Sequence, residues 1–471
     1  MSLRDIIPYR NEDSSLGMAN CRWKSVHAKS LVADEVLGAA KDYIDTKATK
    51  EELARVEGMI AVASSPNYYA RNTPFAASGH LVIKTPDVLW LNINNKGHHT
   101  EVSKELNVTD TMVWDTKATQ RKSSTKYAVG DFVYPQKATD TYIYKCITAG
   151  VTSNSTPTFP QGVGSTVIDG NAKWECRLNY SNANNRAGRD FFIYALYSKD
   201  TVVPKYVLSV NSTVPHGYNA DNTRKVGGFH CLCAGVGTIA GHKLSNYVKG
   251  DIIPASVWDL RHKPKTDIGG MVYDEDTDIW TSIYLMSWTG TAKNGDLMLY
   301  SKFGALAGTG TSAEKFHCLK WEQWLANQHM RFPTWQEFVH LSLGSNQGTN
   351  VAGSAPVNTT GGFKDTAGRR MISHIGAEDC CGTLYQWGAE MGTATTSQNA
   401  PYHDGTTVDD AQVGGNIYGV VHRPLFGGHA SAATRCGSRC CDVSSSSLLL
   451  SWAAGCRAVS EPLLPRRGIS F

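Results

Sequence analysis

The sequence predicts an α+β fold in which a short helical segment and small β modules precede a larger C-terminal domain. The chain has 471 residues, enough for about three domains. It contains 44 Gly and 12 Trp, a composition typical of turn-rich β architecture with aromatic packing. Helical patterns are few: a longer one at residues 34–63, and shorter ones at 321–328 and 335–343.

Composition, charge and hydropathy exclude several classes of protein. The hydrophobic content of 41% and the aromatic content of 10% are those of a globular protein. A formal net charge of +4 is small for this length, which argues against affinity gained by neutralising nucleic-acid phosphates. The first residues lack a secretory signal, and no apolar run approaches the ~18 residues that span a bilayer. We therefore expect synthesis in a cytoplasm and no membrane-embedded segment.

The 12 cysteines are irregularly spaced, and a chain of this size can build a core without disulfides, so free thiols are expected. The run His230-Cys231-Leu232-Cys233 raises the alternative of a zinc site. Zinc-binding pairs usually have two to four residues between the cysteines, whereas one residue separates these. The other interpretation is a β-strand that carries both thiols on one face. We predict no metal site and no cofactor.

Residues 1–33 are predicted to form an attachment segment, in which Trp23 could anchor a small hairpin. Residues 34–65 are predicted to form a helical oligomerisation segment. Residues 49–52 read Thr-Lys-Glu-Glu, a capping box that starts a second helix there. A narrow apolar seam flanked by charges suits a short coiled coil between chains, although a surface helix on its own domain gives the same pattern.

A small β domain is predicted at residues 66–125. Residues 80–84 and 88–94 are rich in β-branched and aromatic residues, which is typical of strands. The polar residues 116–125 are predicted to form a linker.

A second small β module is predicted at residues 126–178. Residues 127–134 and 142–147 are expected to be strands, followed by a turn at Asp169-Gly170 and a strand that contains Trp174. Trp174 and Phe159 could stack on a sugar face. In so small a unit such aromatic side chains are more often core residues.

The C-terminal domain is predicted at residues 179–471, with strands at 190–197, 205–210 and 227–233. Thr334 and Glu337 are spaced as a capping box at the start of the last predicted helix. The loop at residues 344–362 is rich in Gly, Asn, Ser and Thr and is long for a compact domain. Such loops are usually functional or mobile.

Residues 427–457 are punctuated by Gly427-Gly428 and Gly437-Ser438, and the residues between show no sustained period of two or 3.6. Residues 429–451 contain no Lys, Glu, Gln, Asn, Met or Trp, so all of them can be encoded by codons ending in a pyrimidine. This pattern favours a segment whose backbone is specified and whose side chains are displayed.

Three motifs carry a family resemblance. Residues 331–338, Arg-Phe-Pro-Thr-Trp-Gln-Glu-Phe, and residues 382–387, Gly-Thr-Leu-Tyr-Gln-Trp, resemble the helix start and a strand of the formylglycine-generating-enzyme type of C-type lectin fold. Residues 427–457 resemble the C-terminal variable region of diversity-generating retroelement proteins. The residues that fit the fixed frame of that family are Gly427, Gly428, Gly437, Ser438, Arg439, Gly455 and Arg457. Residues 16–26 and 126–178 also resemble segments of phage tail fibres and tail proteins.

The resemblance implies a phage tail-fibre receptor-binding protein, an adhesin made in the host cytoplasm and carried on the virion as a homotrimer. Its C-type lectin-like domain would recognise a host cell-surface protein or glycan, and its N-terminus would attach to tail or baseplate proteins. The residues expected to bind the ligand are His429, Ser431, Ala432, Arg435, Asp442, Val443, Ser444, Ser445, Leu448 and Leu450.

Two other functions fit the same motifs. The first is a cellular diversity-generating retroelement protein of ligand-binding type. The second is a formylglycine-generating-type oxidase, for which Cys436 and Cys440 would be the candidate pair; no other nucleophile motif is present, and we predict no enzyme. The acidic residues 274–278 could hold calcium or form a solvated hairpin turn.

Overall fold

The computed structural model describes residues 68–71, 75–94, 96–100, 102–197, 203–290, 297–393, 399–401, 416–418 and 421–463. The chain divides into two compact units, residues 1–69 and 70–471, and the account below concerns the second. The attachment segment and the helical segment predicted at 1–33 and 34–65 lie outside the described residues. Strands predominate in the described part of the chain, and its helices are few and short.

The first described residues form short strands. Their bounds are β1 (Tyr68–Arg71), β2 (Ala76–Gly79), β3 (Val82–Lys84), β4 (Val88–Ile93), β5 (Lys96–Thr100) and β6 (Glu105–Asn107). β3 pairs with both β2 and β6, and β4 and β5 form an antiparallel hairpin. Leu89 and Leu91 are fully buried, so the strands predicted at 80–84 and 88–94 are confirmed within a few residues. A 3₁₀ turn follows at Thr111–Val113, capped by the side chain of Asp110.

The next strands build a small module. Their bounds are β7 (Thr119–Gln120), β8 (Lys126–Tyr127), β9 (Phe132–Tyr134), β10 (Tyr142–Thr148), β11 (Gly150–Val151), β12 (Thr166–Asp169) and β13 (Ala172–Leu178). A five-stranded sheet has the order β12-β13-β10-β9-β7, and β8 pairs with β11. Trp174 is fully buried and makes an edge contact with Tyr127, their ring centroids 5.1 Å apart. Phe159 packs on the same cluster, so the interpretation of Trp174 as a core residue is confirmed.

Two expectations about this module are wrong. The predicted strand 127–134 is broken into β8 and β9, because Gly130 adopts a φ of +99°, a conformation that interrupts a strand. The predicted linker 116–125 contributes β7 to the sheet. Within it, Arg121 is buried and makes two hydrogen bonds to the Asp169 carboxylate, with Nε–Oδ2 at 2.7 Å and Nη2–Oδ1 at 2.8 Å. This bidentate ion pair ties the segment to the module.

A four-stranded sheet follows. Its elements are the short helix α1 (Ala183–Arg186) and the strands β14 (Asp190–Leu196), β15 (Lys205–Ser209), β16 (Thr223–His230) and β17 (Trp258–Asp259), in the order β15-β14-β16-β17. A 3₁₀ turn at Pro254–Ser256 precedes β17. The strands predicted at 190–197 and 205–210 are confirmed.

The strand predicted at 227–233 ends earlier, at His230, so the expectation that one strand carries both Cys231 and Cys233 is wrong. The chain turns there, and Cys231 makes only an isolated bridge with Ile252. Both thiols are buried, and burial raises the pKa of Cys231 to about 12. His230 Nδ1 lies 2.8 Å from Asp190 Oδ1, and its Nε2 lies 3.0 Å from the Tyr284 hydroxyl. These side chains are therefore held by hydrogen bonds in the core.

The rest of the chain carries the candidate site. Its elements are β18 (Met271–Asp274), β19 (Ile279–Ser282), β20 (Met286–Thr289), β21 (Met298–Ser301), α2 (Cys318–Ala326), α3 (Trp335–Leu341), β22 (Tyr385–Trp387), β23 (Gly392–Thr393), β24 (Asn399–Pro401), β25 (Asn416–Tyr418), β26 (Val421–His422), β27 (Leu425–Gly427), β28 (Gly437–Asp442), β29 (Ala454–Gly455) and β30 (Val459–Ser460). A four-stranded sheet has the order β28-β27-β22-β29, which places β28 at its edge, and β30 completes a sheet with β18 and β19.

Both helices predicted in this part of the chain are present. α3 begins at its predicted residue, and the capping box is confirmed: the Thr334 hydroxyl accepts from the Glu337 amide, and the Glu337 carboxylate accepts from the Thr334 amide. The acidic residues 274–278 form the turn between β18 and β19, where the Asp274 carboxylate accepts from the Asp276 amide and the Thr277 hydroxyl. The hairpin interpretation of these residues is therefore confirmed. No helix within the described ranges has the length and apolarity to cross a membrane.

Candidate binding surface

The segment 427–457 contributes both edge strands, β28 and β29, of the sheet β28-β27-β22-β29. It begins with Gly427 and Gly428, whose φ angles of +84° and +82° are in the region that favours glycine. A Cβ atom on Gly427 would lie 2.3 Å from the Cys380 carbonyl oxygen, and one on Gly428 would lie 2.8 Å from Cys436 Sγ. Any larger residue would displace the turn, so these glycines set the path of the segment.

At the other end of the segment, Arg457 is fully buried. Its Nε donates to Gln386 Oε1 at 2.7 Å, and its guanidinium also donates to the carbonyl oxygens of Ser282, Ile283 and Glu378. One arginine therefore joins β22, the end of β19 and the buried acidic pair Glu378-Asp379. We call Gly427, Gly428 and Arg457 the frame of the segment.

Buried charged residues lie next to Arg457 of the frame. Arg370 Nη2 lies 2.5 Å from Glu378 Oε1, and both side chains are at most 2% exposed. Burial, and then the nearby Glu378 carboxylate, raise the pKa of Asp379 to about 7. Asp379 Oδ2 accepts from the Gly361 amide at 2.6 Å. These contacts connect the loop 344–362 to the core under the segment.

Between the frame residues, most of the predicted binding residues reach solvent. Ser431, Arg435, Val443, Ser444 and Leu450 are exposed, and Val443 is 66% exposed. His429, Asp442, Ser445 and Leu448 are half-buried.

Ala432 is 2% exposed, so the expectation of an outward side chain is wrong there. The Ala432 amide donates to the His429 carbonyl oxygen, and its own carbonyl accepts from the Arg435 amide. These bonds form a tight turn before the 3₁₀ helix Ala433–Arg435, and the turn directs the Ala432 side chain inward.

The backbone of the segment is held by the loop 344–362. The Gly348 amide donates to the Cys436 carbonyl at 2.7 Å, and Asn350 Nδ2 donates to the Ala430 carbonyl. Gln347 Oε1 accepts from the Ser438 amide at 3.1 Å. These bonds are made to main-chain atoms of the segment, so they do not depend on which side chains the segment carries. The loop, predicted to be functional or mobile, is an ordered support.

The two sides of strand β28 face different surroundings. Alternate side chains of a strand point to opposite sides. Cys440 and Asp442 lie near the Tyr385 hydroxyl, whose pKa is raised by burial and further by these two groups. Cys441 and Val443 face a groove on the opposite side. The segment thus presents two surfaces.

On the Tyr385 side, aromatic rings accompany the displayed residues. The Tyr385 and His429 ring centroids are 5.1 Å apart, and the His429 and Trp452 centroids are 5.6 Å apart. Trp452 is 38% exposed. Burial, and then the nearby Arg435 charge, lower the pKa of His429, which favours its neutral form. Tyr385 and Trp452 were not predicted as binding residues; the signal that could have found Tyr385 is its place on the strand beside the segment.

Two thiols of the segment, those of Cys436 and Cys440, have raised pKa values. The cysteines in the described ranges are free, as predicted, and most are buried. Burial raises the pKa of the Cys436 thiol to about 11 and also raises that of Cys440. Since the thiolate is the reactive form, burial lowers the reactive fraction of both thiols.

The strand order, the two short helices α2 and α3 and the exposed segment together describe a C-type lectin-like fold. Solved structures share this fold. The M1 variant of the Major Tropism Determinant superposes with a TM-score of 0.55 at 18% identity, covering 84% of this chain and 86% of that one. The U1 variant gives 0.54 at 18% identity, covering 84% and 85%. The predicted C-type lectin-like fold is confirmed by this likeness.

Sequence comparison leads to the same group of proteins. Residues 174–259 match the family model described as the Mtd second domain. Over 270 residues the chain is 26% identical to the tail fiber receptor-binding protein of Bordetella phage BPP-1. That match covers 54% of this chain and 66% of the relative, just under two-thirds of the relative's length. The resemblance to phage tail-fibre proteins that the sequence predicts is therefore confirmed.

Proposed function

We propose that this chain is a receptor-binding protein of a phage tail fibre and that residues 429–451 recognise a host surface molecule. The observation that carries the proposal is that the main chain and the side chains of the segment have different surroundings. The main chain of the segment is hydrogen-bonded to side chains outside the segment, such as Gln347 and Asn350. The side chains of Val443, Ser444 and Leu450 are exposed to solvent. Likeness to a relative named as a tail fiber receptor-binding protein supports the same function.

The physical advantage of this arrangement is a low ordering cost. A rigid backbone does not have to be ordered on binding, so only the side chains lose conformational freedom and more of their contact energy contributes to affinity. One such patch gives modest affinity. We propose that the protein is a homotrimer on the virion, attached by its N-terminal residues to tail or baseplate proteins, and that avidity strengthens adhesion.

The proposed action is adhesion without turnover. The oxidase alternative requires a reactive cysteine pair, and burial raises the pKa of both Cys436 and Cys440. Both also lie in the segment that the proposal treats as variable, where fixed chemistry would be lost when the side chains change.

The test replaces the exposed residues of the segment and leaves its buried ones unchanged. Ser431, Arg435, Val443, Ser444 and Leu450 would be exchanged together for other small and polar residues, and Ala430, Ala432 and Cys436 retained. We expect particles carrying this variant to lose adsorption to their host cells while the thermal unfolding of the purified protein is unchanged. A matched control changes Val163 and Ile168, which are exposed on the small module. Unaltered adsorption of the segment variant would exclude the proposed function.

A further inference from the structure

A groove runs along the side of strand β28 that faces away from Tyr385. Its volume is about 420 Å³, in the range of sites that accept a few side chains or a small ligand. We call it the side groove. Its lining residues are Trp335, Glu390, Met391, Gly392, His422, Arg423, Pro424, Phe426, Cys441 and Val443.

The side groove is lined both by residues of the displayed segment and by residues outside it. Cys441 and Val443 belong to the displayed segment and form one wall. Trp335 and Phe426 lie outside residues 429–451, and their ring centroids are 5.3 Å apart. Phe426 is fully buried and continuous with the main hydrophobic core. Because Phe426 is fully buried, the half-buried Trp335 is the member of this pair that a partner can reach, whereas the wall of residues 441 and 443 changes with the segment.

The lining is mostly apolar and partly open. Met391 is 58% exposed and Val443 is 66% exposed, and both line the groove together with the half-buried Trp335. Exposed apolar side chains grouped around a concave surface are typical of contact sites. Burying them against a partner would remove apolar area from water and favour binding.

Among the described residues that line the groove, Glu390 is the acidic one. Glu390 is exposed, and its Oε1 accepts from the Trp335 amide at 2.5 Å, at the start of helix α3. This bond fixes the position of the carboxylate. Arg423, the basic residue in the lining, donates instead to Glu322 Oε1 at 2.7 Å and to the Ala389 carbonyl oxygen. The charge at the rim thus complements a basic partner.

We propose that the side groove is the specificity pocket of the binding surface and takes an apolar side chain of a protein receptor, with a neighbouring Lys or Arg on Glu390. This inference rests on the proposed function and names the class of ligand. Glycan hydroxyl groups placed against the exposed Met391 and Val443 side chains would lose water there without gaining hydrogen bonds from those two residues, which is costly. A peptide side chain such as Leu or Phe has no hydrogen-bonding group, so its burial there leaves none without a partner.

The test fills the groove with a side chain. Gly392 has no positive φ, and the nearest atom to a Cβ placed on it is the His422 carbonyl oxygen at 3.9 Å. Gly392→Leu should therefore fold normally and occupy the groove. Gly97→Leu is the matched control, because a Cβ on Gly97 meets nothing within 4 Å. Met391→Glu, at an exposed position, is a second blocking variant, and Glu390→Gln removes the charge while keeping an acceptor for Trp335.

The immobilised full-length proteins would be screened with a random peptide library and with a glycan array. We expect the parent and Gly97→Leu to enrich peptides in which an apolar residue neighbours a basic one. Gly392→Leu and Met391→Glu should bind these peptides at least about tenfold more weakly, and Glu390→Gln should lose only the preference for the basic residue. Three results would each overturn the inference. They are peptides that bind all variants equally, a screen that enriches no peptide, and glycans that bind the parent but not Gly392→Leu.

The same variants separate this inference from the proposed function. If exchange of the exposed residues of the segment abolishes adsorption but Gly392→Leu and Met391→Glu adsorb normally, the adhesin proposal stands and the side groove is not its pocket. If the segment exchange leaves adsorption unchanged, the adhesin proposal fails as well.

Discussion

Arg457 and Arg439 belong to the same Gly-punctuated segment, but their surroundings are opposite. Arg457 is fully buried and donates to the side chain of Gln386 and to three main-chain carbonyl groups. Arg439 is exposed on the edge strand β28. The frame therefore carries the stability of the site, and the displayed edge carries side chains whose loss costs the fold little. Stability and recognition are assigned to different residues of one short stretch.

The largest expected effect is at the frame. Arg457→Met removes a buried donor from Gln386 Oε1 and from the carbonyl oxygens of Ser282 and Glu378, at about 1–3 kcal/mol each, so we expect a loss of roughly 3–5 kcal/mol in the free energy of unfolding. Urea unfolding would measure it. Arg439→Met makes the same chemical change at the displayed edge and should lie within about 0.5 kcal/mol of the parent. Equal effects of the two substitutions would refute the division between frame and edge.

The next effect is a dependence of stability on pH. The pKa of Asp379 is raised to about 7 by burial and by Glu378, from an ordinary value of 3.8. The folded state therefore binds more protons than the unfolded state between these values, and this contribution to stability is lost as the pH rises through the folded pKa. Asp379→Asn removes it. Between about pH 5 and about pH 8, the variant should lose less stability than the parent, by on the order of 1–3 kcal/mol.

Equilibrium unfolding across that pH range would measure the difference. Asp276→Asn is the control, since Asp276 lies in the exposed hairpin turn and its substitution changes the net charge equally. If Asp379→Asn loses as much stability as the parent across this range, the prediction is contradicted.

A smaller effect is expected where the loop 344–362 meets the segment. Gln347→Ala removes the acceptor of the Ser438 amide and should cost about 1–2 kcal/mol. The loss is local, so amide hydrogen exchange at Ser438 should accelerate by about tenfold. Gln136→Ala changes an exposed glutamine of the small module and should leave this exchange rate unaltered. An unchanged rate in Gln347→Ala would show that the loop does not hold the segment.

The sequence predicts those parts of this site that depend on neighbours in the chain. The capping box joins Thr334 to Glu337 within one turn of helix, so residue types and spacing were sufficient. The glycine turn at Gly427-Gly428 was likewise predicted from local pattern.

The features that were missed depend on distant partners. Gln347 contacts Ser438 across 91 positions, and Arg121 pairs with Asp169 across 48. The periodic pattern of a sequence does not indicate which distant residues will form such pairs. The burial of Ala432 also follows from tertiary packing of its turn and not from its residue type.

The smallest expected effect tests the edge itself. Val443 is 66% exposed, so Val443→Ser removes little buried apolar surface and should change the free energy of unfolding by less than about 0.5 kcal/mol. Val459→Ser makes the same change at a fully buried position of strand β30, and it should cost about 2–4 kcal/mol because it loses packing and buries an added hydroxyl group. Thermal unfolding of the two variants gives the comparison directly. If Val443→Ser proves as costly as Val459→Ser, then Val443 is a core residue, and its exposed face is not available to a partner.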